Sequence, residues 1–298
     1  MKLNINKSIK NNQSWRHHYI PKFYIKNFSF ESNLLWVYDK EKDQIGTKQK
    51  SPKQIFFIPN DNTTNIDEVI EDDFIENLYN IYETNITKRY SDMHLDIDEI
   101  INDEELHVKI NFLIVLLLWR IPAYRTIQES YISQNYEFLK IDASKKFKSV
   151  WTALDSKSKY KYLKVEAVNR ILNSKIIANG KYMYFGFKEY SKSCFLLTDN
   201  PILINNHPGY KFEVSEPIIF PLSDRKLYIR SDVKKFSFKD EMIIDYNLLA
   251  IHQAKYYVAC QNKNTLESYV KQYRILKDSF DRIAADKIMN MFNELREN

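Results

Sequence analysis

The stretch Phe112-Leu113-Ile114-Val115-Leu116-Leu117-Leu118-Trp119-Arg120-Ile121-Pro122 decides how this chain folds. Eight apolar residues in a row leave no polar side for water, so the helix they form belongs in the middle of the core. The block is far shorter than the roughly 20 residues that span a bilayer, which predicts a soluble protein with no membrane partner. Asp103, Glu104 and Glu105 suit the positive start of this helix, and Pro122 ends or kinks it. Arg120 sits where the core ends and needs a carboxylate, because an unpaired buried guanidinium costs about 3–5 kcal/mol. Glu76, Glu83 and Asp199 are the candidate partners.

Toward the N-terminus, Ile66, Ile70, Phe74, Leu78 and Ile81 recur every three or four residues and predict a helix from about Asn65 to Arg89. Glu76 and Glu83 lie two turns apart on one side of it, as a shared site or as a solvated face. The stretch from His94 to Glu99 reads as a linker. Further out comes Arg16-His17-His18-Tyr19-Ile20-Pro21-Lys22-Phe23-Tyr24-Ile25. Pro21 steers Ile20 away from helix, so the two imidazoles of an extended segment point to opposite faces. One of His17 and His18 can then serve as metal ligand or acid/base, or both are structural. Leu34–Tyr38 and Ile45–Lys48 read as a hairpin, and Gln54–Pro59 as a short strand or buried connector. Residues 1–14 read as a flexible arm.

Toward the C-terminus, helical residues are expected from about Ala123 to Trp151 and from about Ser158 to Ala178, with a cap at Asn179-Gly180. Residues 140–176 hold ten Lys/Arg against Asp142, Asp155 and Glu166, whereas residues 64–105 hold fourteen Asp/Glu against Lys88 and Arg89. Lys145, Lys146, Lys148, Lys157, Lys159, Lys161 and Lys164 alternate with Phe147, Trp151, Tyr160 and Tyr162. That composition suits phosphate contacts and base stacking, or a solvated lysine face around core aromatics. Short strands follow, with Thr198-Asp199-Asn200-Pro201 between two of them, where Asp199 either caps a turn or faces a site. Met242–His252 reads as a helix, Tyr256–Ala259 as a strand, and Thr265–Leu295 as one or two closing helices. The expectation is one α+β domain over residues 15–298: a helix-rich first half packed on a mostly antiparallel sheet from the second half.

Composition removes several function classes. The four glycines are too dispersed for a dinucleotide fingerprint or a phosphate loop, so no nucleotide cofactor is expected. Cys194 and Cys260 are too few and too far apart for a cysteine zinc site or a disulfide framework, which fits a reducing cytoplasm. A formal charge of +5 argues only weakly for an acidic partner.

His17-His18-Tyr19-x-Pro21 with Phe23-Tyr24, the pair Glu76 and Glu83, Arg120-x-Pro122, Thr198-Asp199-Asn200-Pro201, Phe220-Pro221-Leu222-Ser223 and Asn247 stand in a recognisable order. Together they resemble the bacterial domain-of-unknown-function family 4238 over roughly residues 15 to 260. The His-His and Asp-Asn-Pro motifs are its specific parts, and Thr198 stands where the family often has Ser, so a hydroxyl is kept. The resemblance implies that His17 or His18, Glu76, Glu83, Arg120, Asp199 and Asn200 converge. It brings no reaction with it.

Two functional readings follow. The first is a metal-dependent nuclease acting on RNA or DNA, serving as an effector of bacterial antiviral defence or as a toxin. In it Glu76, Glu83 and Asp199 hold a divalent Mg or Mn, a histidine moves the proton, Arg120 with Asn200 completes the catalytic set, and Lys145, Lys146, Lys148, Lys159 and Lys161 bind nucleic acid. The chain lacks the P-D-x-n-E-x-K pattern of the usual nuclease folds. The second is a non-catalytic nucleic-acid- or protein-binding module, in which the same polar residues form a structural network. A protein partner or a homo-oligomer stays open in both.

Overall fold

The computed structural model describes residues 15–29, 32–66, 70–72, 74–90, 104–172, 184–204 and 217–296. The expected arm, the linker at His94–Glu99 and the cap at Asn179-Gly180 lie outside the described residues. The chain runs through β1 (Arg16–His18), α1 (Lys22–Lys26), β2 (Trp36–Asp39), β3 (Gln44–Ile45), β4 (Phe57–Pro59), β5 (Thr64–Ile66), β6 (Ile70–Asp72) and α2 (Phe74–Tyr90), then α3 (Glu104–Arg120). The helices α4 (Arg125–Gln134), α5 (Tyr136–Lys146), α6 (Lys148–Trp151) and α7 (Ser156–Leu172) follow. The remainder is β7 (Tyr184–Glu189), β8 (Leu197–Thr198), β9 (Leu203–Ile204), β10 (Ile218–Pro221), β11 (Lys226–Ser231), α8 (Met242–Gln253), β12 (Tyr257–Cys260) and α9 (Lys263–Arg296).

The fold is α+β with antiparallel pairing throughout the described strands, in two four-stranded sheets, β3-β2-β12-β8 and β7-β11-β10-β9, and two ribbons, β1-β4 and β5-β6. Strands are spread along the chain, which corrects the expectation that the sheet comes from the second half alone. β2 near the start pairs with β12 near the end, with Tyr38 opposite Val258, so the first sheet is closed by both ends of the chain.

α3 is the core helix that its composition requires: every residue from Leu113 to Arg120 is buried. Pro122 opens a short 3-10 turn, and the chain bends by 67° between α3 and the helix beyond. One side of α3 is tied to the second sheet by polar groups. His107 stacks on Phe185 of β7 at 3.9 Å, accepts the Asn111 amide at 3.0 Å and sits 2.9 Å from the Tyr228 hydroxyl, while Arg230 donates to Asn111 Oδ1 at 2.7 Å.

Two helix boundaries differ from expectation for local reasons. The helix read from Asn65 begins at Phe74, because Ile66 and Ile70 are cross-strand partners in the β5-β6 ribbon; a spacing of four fits such a pair as well as a helical turn. The buried stripe of α2 is Ile75, Tyr79 and Ile86, and Ile81 is 55% exposed. The single helix read over 123–151 is broken at Asn135 and Phe147. Asn135 turns its side-chain amide back onto the Tyr131 carbonyl at 2.9 Å, the competition with backbone that makes Asn a poor interior helix residue.

Asn247 of α8 is fully buried, accepts the Leu196 N–H at 2.9 Å and donates to the Cys194 carbonyl at 2.7 Å, so it docks the helix onto the segment entering β8. Asn247→Ala strands both backbone groups and is expected to cost about 2–4 kcal/mol in urea unfolding, given 1–3 kcal/mol for each unsatisfied group. A cost under 0.5 kcal/mol would show that the amide does not hold this junction.

Candidate functional site

Arg120 ends α3 inside the protein, 5% exposed. Its Nη1 pairs with Glu83 of α2, its Nη2 donates to the His18 carbonyl, and its guanidinium carbon lies 4.7 Å from the Tyr79 ring centre. One side chain therefore joins α3, α2 and β1. Of the three partners expected for it, Glu83 is the one in contact. Glu76, two turns earlier, accepts from the Asn62 side chain at 2.7 Å, and the Asn62 backbone N–H donates to His17 Nδ1 at 2.8 Å. Both glutamates of α2 thus serve the segment around β1, as their seven-residue spacing allows.

The two histidines diverge. Because His17 Nδ1 accepts an N–H, the proton of its neutral ring sits on Nε2, where it is a donor. His18 places Nε2 3.1 Å from the Pro52 carbonyl and Nδ1 3.2 Å from that of Arg16. Burial, helped by Lys22 and Arg120, pushes His18 down to about 4, so the ring is neutral near pH 7. A neutral ring carries one N–H, so it donates to one of these two carbonyls at a time.

Asp199 is 1% exposed and makes a different kind of contact. Oδ1 accepts the Lys255 N–H at 2.8 Å, and Oδ2 those of Tyr256 and Tyr257 at 2.6 and 2.9 Å. Burial pushes its carboxyl up to about 6, with the three N–H donors and Lys40 opposing that rise. Just before this segment, Lys40 Nζ donates to the carbonyls of Ile251, His252 and Ala254 at 2.6–2.9 Å, holding the C-terminus of α8. An anion on the amides and a cation on the carbonyls fix one stretch of backbone between α8 and β12. Asn200 is engaged there too: its carbonyl accepts from Gln253 at 2.6 Å. Asp199 and Asn200 are thus placed at the α8–β12 joint, and Glu76, Glu83 and Asp199 do not form a metal-holding group; among the described residues no three His, Cys, Asp or Glu side chains do.

The other motifs are also joints. Tyr24 stacks on Phe220 at 5.3 Å and donates to the Pro221 carbonyl at 2.7 Å, and Asn27 reaches the Leu222 carbonyl at 3.3 Å. A family model described as "Protein of unknown function (DUF4238)" matches residues 16–264. The chain belongs to this family. No curated protein and no solved structure matches it. In this DUF4238 chain His17, His18, Tyr19 and Arg120 of the motifs share a small cleft, of ≈ 190 Å³ with its open mouth and with room inside for about one water. It is lined from β1 by His17, His18 and Tyr19, from the following turn by Asp61 and Asn62, and from the helices by Arg120 and Lys164.

Lys164 is the residue that motif reading missed. It stood in the lysine run and was not assigned to the site, yet it is half-buried in this cleft. Burial, with Arg125, Arg120 and Lys161 nearby, pushes its ammonium down to about 8; Asp61 opposes this. Asp61 itself is 3.5 Å from Arg125. The lysine run splits over α7. Lys161 donates to the Thr63 carbonyl at 2.5 Å, two residues beyond the Asp61 that lines the cleft, whereas Lys145, Lys146 and Lys148 are exposed on α5 and α6, and Lys146 pairs with Glu166 at 3.3 Å. Lys159 lies away from the Lys161 side of α7.

Asp199→Asn keeps the shape but turns an amide donor or a weaker acceptor toward three N–H groups. It is expected to cost about 2–4 kcal/mol, since hydrogen bonds to a charged group contribute 1.5–3 kcal/mol. Lys40→Met destabilises as well, and because both side chains hold the same backbone stretch, the double variant loses less than the two costs added. Urea unfolding of the four proteins measures this cycle; strict additivity would show two independent contacts.

Proposed function

We propose that this chain is a nuclease that hydrolyses phosphodiester bonds of RNA or DNA in the cleft between β1, α3 and α7, with Lys164 as proton acceptor and Arg120 as phosphate anchor. The observation that carries this reading is the Lys164 amine. Among the described residues it has neither an ion pair nor a hydrogen bond, it lies in the same cleft as a buried arginine, and its proton is weakly held, at about 8. A lysine in that range is matched to general base work near neutral pH. A lysine kept only for charge would sit beside a carboxylate or in water.

Water in the cleft attacks the phosphorus and gives its proton to the Lys164 amine. Negative charge growing on the phosphoryl oxygens is met by the guanidinium of Arg120, whose Nε is buried without a hydrogen-bond partner. The ester P–O bond breaks, the leaving oxygen takes a proton from solvent, and the new ammonium releases its proton to solvent. A nuclease of this kind suits an effector of antiviral defence or a toxin, and expression toxicity that depends on Lys164 reads out that role. The second reading, a non-catalytic binding module, is favoured by the closed contacts of Asp199 and Glu83. It accounts for those residues but leaves Lys164 without a reason.

Lys164→Arg separates the two. Arginine keeps the positive charge but cannot lose a proton, so cleavage is expected to fall by about 10²- to 10⁴-fold while oligonucleotide binding and the unfolding midpoint hold. For the native protein, kcat/KM should rise about tenfold per pH unit up to about 8 and then level off, because the amine is the active form. Chelation is expected to leave the rate unchanged. A Lys164→Arg protein that cleaves at the native rate would remove the lysine from the chemistry.

A further inference from the structure

Lys157, Lys161 and Lys164 are four and then three residues apart, so they lie on one side of α7 and climb it in steps of about 6 and 4.5 Å. Lys157 is exposed, Lys161 half-buried, and Lys164 is inside the cleft. Arg125, 57% exposed at the start of α4, stands beside Asp61 at the same mouth, and Arg120 is behind. Neighbouring members sense one another's charge: Lys157 and Arg125 act on Lys161, and Arg125, Arg120 and Lys161 act on Lys164. Positive charge therefore runs without a gap from open surface to a buried guanidinium. Four carboxylates stand beside it: Glu83 and Glu76 act on Arg120, Asp61 is 3.5 Å from Arg125, and Asp155 accepts the Ser158 N–H at 2.6 Å, against five cations. The surplus stays positive.

A lone phosphate needs only the inner end of this row. Cations that continue outward at helical steps fit a chain of phosphates, which is how proteins follow a nucleic-acid backbone. A cleft of this size admits no stiff duplex, whereas a flexible strand can present one phosphate at its mouth beside Lys164. We infer that the substrate is a single-stranded oligonucleotide, one phosphate of which enters the cleft while its neighbours follow Lys161, Arg125 and Lys157 outward; this rests on the nuclease reading of the cleft.

The test uses the full-length Lys164→Arg protein, so that binding is measured without cleavage. Fluorescence anisotropy is recorded with labelled oligouridylate and oligothymidylate of one, two, four and eight nucleotides and with a duplex. Affinity is expected to climb with length to about four nucleotides before levelling, and the duplex to bind at least about tenfold more weakly than the longest single strand. Lys157→Gln is expected to lower the slope of log affinity against log salt by about 0.7, the value for one single-strand phosphate contact. Hydrolysis of bis(4-nitrophenyl) phosphate by the native protein, a diester too short to follow the row of cations, reads out the cleft alone. Equal affinity for one and eight nucleotides, with the small diester still hydrolysed, overturns the single-strand track and leaves the cleft reading standing. Absence of both oligonucleotide binding and small-diester hydrolysis overturns the cleft reading and this inference together.

Discussion

The structure depends on keeping one guanidinium charged inside the protein. Arg120 cannot shed its proton, so burial is tolerable only if its surroundings supply negative charge and hydrogen-bond acceptors. Glu83, the His18 carbonyl and the Tyr79 ring do so, the carboxylate and the ring from α2 and the carbonyl from β1. The same contacts decide where α2 and β1 lie against α3. The segment that carries the two histidines is therefore held by a charge at the far end of the core helix as well as by its own short strand pairing with β4.

The sequence makes the need visible but not every solution. Eight apolar residues followed by Arg120 are enough to require a core helix with a carboxylate at its end, and Glu83 was among the three possible donors. Spacing could not choose between Glu83 and Glu76, because residues seven apart share a helix side and only the tertiary path of the chain puts one on Arg120 and the other on Asn62. The start of α2 was misread because Ile66 and Ile70 satisfy a helical spacing while pairing across the β5-β6 ribbon. The role of Asp199 was locally undecidable: its partners, residues 255–257, are more than fifty positions away. Lys164 was hidden for the opposite reason. It stands in a run of lysines that look alike in sequence, and only folding separates those facing the cleft from those facing water.

The residues that identify the family and those that could do chemistry are largely different sets here. Asp199 with Lys40, Asn247, and Tyr24 on the Phe220-Pro221 corner clamp backbone segments to one another. Their geometry leaves little for a substrate, since their polar atoms are spent on main-chain groups. A motif rich in His, Asp and Asn invites a catalytic reading because those side chains also make active sites. Backbone capping uses the same acceptors and donors, and the deciding fact is what each atom already holds.

What remains in the cleft follows from competition for counter-charge. The carboxylate that acts on Lys164, Asp61, stands beside Arg125, while Glu83 is taken by Arg120. Where guanidinium and ammonium compete for the same anion, the guanidinium stays charged, since its proton is not lost in a protein, and the cost of crowding falls on the amine. Burial and the nearby cations then act together on Lys164, both loosening its proton, with the Asp61 charge only partly offsetting them. The arrangement that stabilises the buried arginine is thus also the one that leaves a lysine half-buried, without an ion pair and ready to exchange a proton near neutral pH. The fold around this cleft and the proton affinity of its lysine trace to the same few charges.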